Sequence, residues 1–200
     1  MFMHELHRTV LFLARAMAIL GGAVLLALIL LTCVSVIGLS LNKALHSEWI
    51  ESIAPGVAKS LLNMGVGPIT GDFELVEAGM AFAIFAFLPL CQVVGGHATV
   101  DIFTARFPIW LNRIIQLIVD VTFALVLALI AWRLYEGMLD KQRYNESTFM
   151  LNMPLWWAYA VSVSAAVLAA LVAVYVAFVR TVEIITGRSI LNAASDEAQA

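Results

Sequence analysis

The stretch AMAILGGAVLLALILLTCVSVIGLSL occupies residues 16–41 and contains no charged side chain. A helix needs ~20 mostly apolar residues to cross ~30 Å of hydrocarbon, because each residue rises ~1.5 Å along the axis. This stretch meets that length and is far longer than the ~7–15-residue apolar core of a signal peptide. It therefore predicts a membrane-spanning helix.

The composition of the whole chain agrees with this interpretation. Hydrophobic residues make up 62% of the 200 residues and charged residues only 12%, and the mean hydropathy is +0.96. Soluble domains are ~45–50% apolar and ~25% charged, and a domain of this size leaves much of its surface exposed. The net charge of -3 offers no basic field to nucleic acid. The composition thus indicates an integral membrane protein and excludes nucleic-acid binding.

Three further apolar stretches are long enough to cross a bilayer. Each is expected to be helical, because unpaired backbone polar groups in lipid cost several kcal/mol. We therefore predict an all-α integral membrane protein with four transmembrane helices, in which residues 1–200 form a single membrane domain. The predicted spans cover about residues 11–41, 75–95, 112–133 and 155–180.

The connection over residues 42–74 is predicted to be the outer loop. Apolar residues recur in it at helical spacing, at Ile50, Ile53, Val57 and Leu61. This pattern is typical of an amphipathic helix that lies in the membrane interface. An irregular loop with scattered apolar residues explains it equally well, so both alternatives stay open.

The orientation is predicted from the charges that flank the first span. Arg8 and Arg15 precede it, whereas only Lys43 closely follows. Positive residues are enriched on the cytoplasmic side, and the first helix usually dominates. We therefore expect both termini in the cytoplasm, with residues 181–200 as a cytoplasmic tail.

Asp120 is the one acidic residue within the predicted third span. It lies ~10 Å deep if the helix enters the bilayer at Arg113. Carboxylates inside membranes are costly and are candidates for function. Asp120 is either an ion or proton site, or a structural carboxyl that faces another helix near Gln116.

Other polar residues cluster where the predicted spans begin or end. Glu74 and Glu77 stand at the start of the second span, where acids complement the helix dipole. His97 and Asp101 are four residues apart and would share a helix face, but two ligands are too few for a metal site.

Several chemistries are excluded by the sequence. No histidine lies within a span, so paired axial haem ligands are missing. No GxxxxGK loop is present to bind a nucleotide, and the Ser and Cys residues of the spans lack a neighbouring base. The chain is therefore not expected to be an enzyme or to carry a cofactor.

Two motifs flank the last two spans. GGHATVDIFTARFP (residues 95–108) leads into the third, and STFMLNMPLWWAYAV (residues 147–161) leads into the fourth. In this order, with four spans and an acid at the start of the second, the chain resembles the small membrane subunit (DctQ type) of a TRAP transporter (tripartite ATP-independent periplasmic).

The resemblance implies a division of labour in the bacterial inner membrane. A periplasmic substrate-binding protein would deliver an organic acid to a large membrane subunit, which binds sodium and uses its gradient to move the substrate. This chain, surrounded by membrane lipid, would brace the large subunit. The candidates for partner contact or structural support are Glu74, Glu77, His97, Asp101, Arg106 and Asp120.

Two other functions are compatible with four spans. The chain could act alone as a channel or exporter with Asp120 in its path, or it could anchor a redox partner. The missing haem ligands count against the redox anchor, and the lack of a polar cluster across the spans counts against a transport site.

Overall fold

The computed structural model describes residues 2–47, 55–95 and 108–186, and its long elements are all α-helices. Four helices are long and apolar enough to cross a membrane, which confirms the predicted fold class. A short fifth helix lies in the connection between the first two long ones. The helices are α1 (Phe2–Leu45), α2 (Pro55–Asn63), α3 (Asp72–Val94), α4 (Ile109–Arg143) and α5 (Leu155–Thr186).

The helix α2 falls in the connection for which two alternatives were open. It begins at Pro55, a residue that suits the first turn of a helix because its missing N–H would have no partner there. Val57 and Leu61 belong to it, whereas Ile50 and Ile53 lie outside the described residues. The connection is therefore partly helical, and its position in the membrane interface stays a prediction.

All four long helices extend past the predicted spans, and α3 does so only at its start, by three residues. α1 and α4 do so at both ends, and α5 does so after residue 180. α1 has 44 residues, which corresponds to ~66 Å against a hydrocarbon thickness of ~30 Å. It must therefore tilt or project beyond the bilayer.

The ends of α3 are set by glycine and aspartate. Gly71 precedes the helix with φ 80°, and the first residue, Asp72, accepts a 2.7 Å hydrogen bond from the N–H of Phe73. The helix ends at Gly95, whose N–H donates to the carbonyl of Cys91. Glycines with positive φ, Gly71 and Gly95, therefore stand at the two ends of α3.

The helices pack in the spatial order α1, α3, α5, α4. α5 is central: half of its most apolar 18-residue stretch is buried, against 6% for the corresponding stretch of α1. α5 is rich in alanine, and small residues let helix backbones approach closely in membranes. One face of α1 and much of α4 are left to lipid or to a partner.

Two buried clusters hold this arrangement together. The first joins α4 to α5 through alanines and Leu127, and Phe85 and Leu88 of α3 pack against it. The second brings α1, α3 and α5 together through Ala14, Val93 and Val176. We name the two ends of the bundle after an acidic residue near each: the Glu74 end, where α3 and α5 begin, and the Asp120 end, where they finish.

Candidate functional site

A buried ion pair joins α4 to α5. Nε of Arg180 donates to Oδ2 of Asp120 at 2.9 Å, and Asp120 is only 8% exposed. Asp120 lies seven residues after Arg113, ~10 Å along the helix axis. A charge at this depth is stable only when it is paired and hydrogen-bonded, and Arg180 supplies both.

Two amides complete what we call the Asp120 cluster, formed by Gln92, Gln116, Asp120 and Arg180. Nη1 of Arg180 donates to Oε1 of Gln116 at 3.0 Å, so Gln116 and Asp120 share one guanidinium. Nε2 of Gln92 reaches Oδ1 of Asp120 at 3.4 Å, a long hydrogen bond. The cluster therefore links α3, α4 and α5, and both carboxylate oxygens of Asp120 meet donors from this chain.

At the other end of the bundle, Glu74 holds the loop between α4 and α5. Its two carboxylate oxygens accept hydrogen bonds from the backbone N–H groups of Met150, at 2.7 Å, and Leu151, at 3.0 Å. The loop is closed by a β-bridge between Ser147 and Pro154. Glu74 therefore fixes this loop on the first turn of α3.

The same end ties α1 to the segment before α3. The hydroxyl of Ser35 donates to Oδ2 of Asp72 and accepts from the N–H of Ile69 at 3.2 Å. Nδ2 of Asn42 donates to the carbonyl of Val66 at 2.8 Å. In addition to its apolar contacts in the second buried cluster, α1 is thus held here by polar contacts.

Gly38 allows this close contact. A Cβ atom at that position would lie 2.2 Å from the carbonyl oxygen of Gly67, a distance that no side chain can accept. The backbone of residues 67–68 therefore lies directly on α1 because residue 38 has no side chain.

A cavity of about 400 Å³ lies between α3, α4 and α5 at the Glu74 end. Glu77 is exposed at this cavity, beside Glu74. Most of the remaining lining is apolar, and the hydroxyl groups of Tyr159 and Ser162 also belong to it. This volume falls in the range of ~300–1,000 Å³ that is typical of small-molecule sites.

The candidate residues from the sequence fall into three groups. Glu74 and Glu77 share the cavity at one end, and Asp120 lies in its own cluster at the other. The other three lie outside the described residues: His97, Asp101 and Arg106. Within the described residues, no group of three or more His, Cys, Asp or Glu side chains could hold a metal ion.

Sequence reasoning missed the partner of Asp120. Arg180 is the last residue of the predicted fourth span, yet its side chain points back into the bundle. The positions of the two residues relative to the loop between α4 and α5 could have indicated the pair. Asp120 precedes the end of α4 at Arg143 by 23 residues, and Arg180 follows the start of α5 at Leu155 by 25. In an antiparallel pair these positions have nearly the same depth.

Comparison with known proteins identifies one family. Residues 63–183 match the family model described as "Tripartite ATP-independent periplasmic transporters, DctQ component". The matched region runs from the end of α2 almost to the end of α5, so it includes three of the four long helices and both polar sites. No curated protein and no solved structure matches the chain.

Proposed function

The chain belongs to the DctQ component family of TRAP transporters, and we propose that this small membrane subunit braces a large membrane subunit during sodium-driven uptake of an organic acid. A periplasmic binding protein delivers the substrate, and sodium and substrate bind the large subunit. The complex lies in the bacterial inner membrane, with both termini of this chain in the cytoplasm.

The bracing role is supported by the fact that the carboxylates inside the bundle are bonded by donors of the same chain. Both oxygens of Asp120 and both oxygens of Glu74 meet donors from neighbouring elements of this chain. Transport sites instead gather free polar groups near the membrane midplane, on helices that are broken there. The four long helices described here are continuous, α3 even through Pro89.

The exposed surface of the bundle provides apolar helix faces to which the large subunit can bind. α1 leaves most of its apolar side chains uncovered by the rest of the chain. A partner helix can pack there without displacing any contact within the bundle. His97, Asp101 and Arg106 are proposed to add polar contacts to the large subunit from the connection between α3 and α4.

Reconstitution separates this function from a stand-alone channel. The chain alone in liposomes, with an imposed sodium gradient, is expected to move no organic acid. Together with the large subunit and the binding protein, it should support sodium-dependent uptake and co-purify with the large subunit. Uptake by the pure chain would instead establish the channel or exporter with Asp120 in its path.

A further inference from the structure

We propose that the cavity at the Glu74 end binds the headgroup and glycerol region of a phospholipid that carries a primary ammonium group. The proposal concerns this chain alone and does not depend on its partner subunit. Three features support it: the direction of the cavity, the buried hydroxyl of Ser162, and the charge at the cavity entrance.

The cavity changes from polar to apolar along the membrane normal. α3 lines it with Glu74, Glu77, Ala78 and Ala81, which share one helix face at spacings of three and four residues. This face is ~10 Å long. Because α3 starts at this end of the bundle, its carboxylates lie at the membrane surface and its alanines lie deeper, as the headgroup and acyl region of a lipid do.

α5 lines the opposite wall in the same direction. Leu155, Ala158, Tyr159 and Ser162 also form one face, and α5 enters the membrane at the same end as α3. Ala78 and Ala158 are half-buried, so the cavity is not sealed from its surroundings. Acyl chains can therefore leave it sideways into the bilayer.

The hydroxyl of Ser162 is the most specific indication of a ligand. Ser162 is 3% exposed and lines the cavity, yet it has no hydrogen-bond partner among the described residues. Tyr159, one turn nearer the surface, is half-buried and interacts electrostatically with Lys141. Buried hydroxyl groups are normally hydrogen-bonded, so the Ser162 hydroxyl needs an acceptor inside the cavity, and the ester carbonyls of a phospholipid lie at this depth.

The charge at the entrance selects the headgroup. The exposed carboxylate of Glu77 stands beside that of Glu74, whose oxygens already accept hydrogen bonds from the loop residues Thr148, Phe149, Met150 and Leu151. Glu77 therefore supplies the acceptor for a ligand, and Glu74 adds a second negative charge beside it. An ammonium group carries three N–H donors and a positive charge, which suits two carboxylates. A lipid with net negative charge is repelled, and a quaternary ammonium has no N–H to donate.

The experiment is native mass spectrometry of the full-length chain purified in detergent and mixed with equal amounts of three lipids. Phosphatidylethanolamine is expected to be retained about tenfold more than phosphatidylglycerol, the ratio that ~1.4 kcal/mol of headgroup preference produces. Phosphatidylcholine, which matches its net charge but lacks N–H donors, should be retained less than phosphatidylethanolamine. Equal retention of the three lipids would overturn the proposal.

Two pairs of variants test the contacts. Glu77→Gln should remove the preference for phosphatidylethanolamine, whereas Asp140→Asn, an exposed acid at the same end but outside the cavity, should not. Ser162→Ala should weaken retention of this lipid, whereas Ser164→Ala should not, because Ser164 is exposed and bonds the carbonyl of Val161. If the two variants of either pair retained phosphatidylethanolamine equally, the proposed lipid contacts would be wrong.

The same measurement on the complex with the large subunit distinguishes a lipid from a protein occupant. Retention of phosphatidylethanolamine by the complex, lost in Glu77→Gln, supports the lipid. Loss of the lipid when the large subunit binds would show that a side chain of that subunit fills the cavity, and the proposal would be wrong. Co-purification of the two subunits tests the bracing role separately.

Discussion

Arg180 and Asp120 are 60 residues apart in the chain, yet their side chains meet at 2.9 Å inside the helix bundle. Asp120 is buried, Arg180 is partly buried with 20% of its side chain exposed, and Gln116 and Gln92 bond to the pair. In a medium of low dielectric, removal of one partner leaves the other charge without compensation. This ion pair therefore makes the packing of α4 on α5 sensitive to single substitutions.

Asp120→Leu is expected to lower the free energy of unfolding by ~3–5 kcal/mol, because Arg180 is then buried without a counter-charge. Asp120→Asn keeps the shape and should cost less. The double variant Asp120→Leu with Arg180→Met should recover most of the loss, since an apolar pair can replace a buried ion pair. Melting temperatures of the purified variants in detergent measure these effects.

The same Asp120 variants separate a structural carboxyl from an ion site. If Asp120 is structural, loss of uptake in the reconstituted transporter should follow loss of co-purification with the large subunit. An Asp120→Asn complex that assembles fully but transports nothing, with an altered dependence on sodium, would contradict the structural role.

Glu74→Ala is expected to release the loop between α4 and α5. Both carboxylate oxygens bond to this loop, so hydrogen exchange at the amides of Met150 and Leu151 should rise, by an amount corresponding to ~1–3 kcal/mol of local stability. Glu136→Ala is the control, because among the described residues Glu136 pairs with Arg133 alone, on the surface of α4. Equal exchange in the two variants would show that Glu74 does not hold the loop.

Gly38→Ala is expected to destabilise the contact between α1 and the segment before α3. The added Cβ would meet the carbonyl of Gly67, and forced overpacking typically costs ~1–3 kcal/mol. Gly22→Ala is the matched control in the same helix, since nothing lies within 4 Å of its added Cβ. Gly22→Ala should be neutral or stabilising by up to ~1 kcal/mol, and a melting temperature lowered equally by both would refute the contact.

The orientation is tested with reporter fusions at two sites. Arg8 and Arg15 before the first span predict that a fusion at Ala200 reports the cytoplasm and one near Ser60 reports the outer side. The same orientation places the Glu74 end on the outer side of the membrane. Opposite signals at both sites would place it in the cytoplasm instead.

The existence of the helices was predictable because lipid imposes a simple rule. Any apolar stretch of ~20 residues that lies in lipid must satisfy its own backbone polar groups by forming a helix. Residues 16–41 do so as part of α1. The ends were harder to predict. α4 continues past Trp132 to Arg143, where hydropathy no longer indicates a span, because ion pairs such as Arg133–Glu136 favour helix in water as well.

The polar contacts were predictable only in part. Gln116 was expected near Asp120 because one helical turn separates them, a local relationship. Arg180 and the loop bonded by Glu74 depend on which helices are neighbours and at what relative height. The spatial order α1, α3, α5, α4 is set by small side chains such as Ala166 and Ala169, whose packing has no simple sequence pattern.

The separation of Asp120 from Arg180 along the chain has a consequence for biogenesis. At ~5–20 residues per second, the ribosome needs ~3–12 s to add the residues that lie between them. During this interval the carboxylate of α4 exists while the guanidinium that neutralises it has not yet been synthesised. We therefore expect α4 to stay beside the insertion machinery, with its carboxyl still in water, until α5 arrives and the two helices enter the lipid as a hairpin.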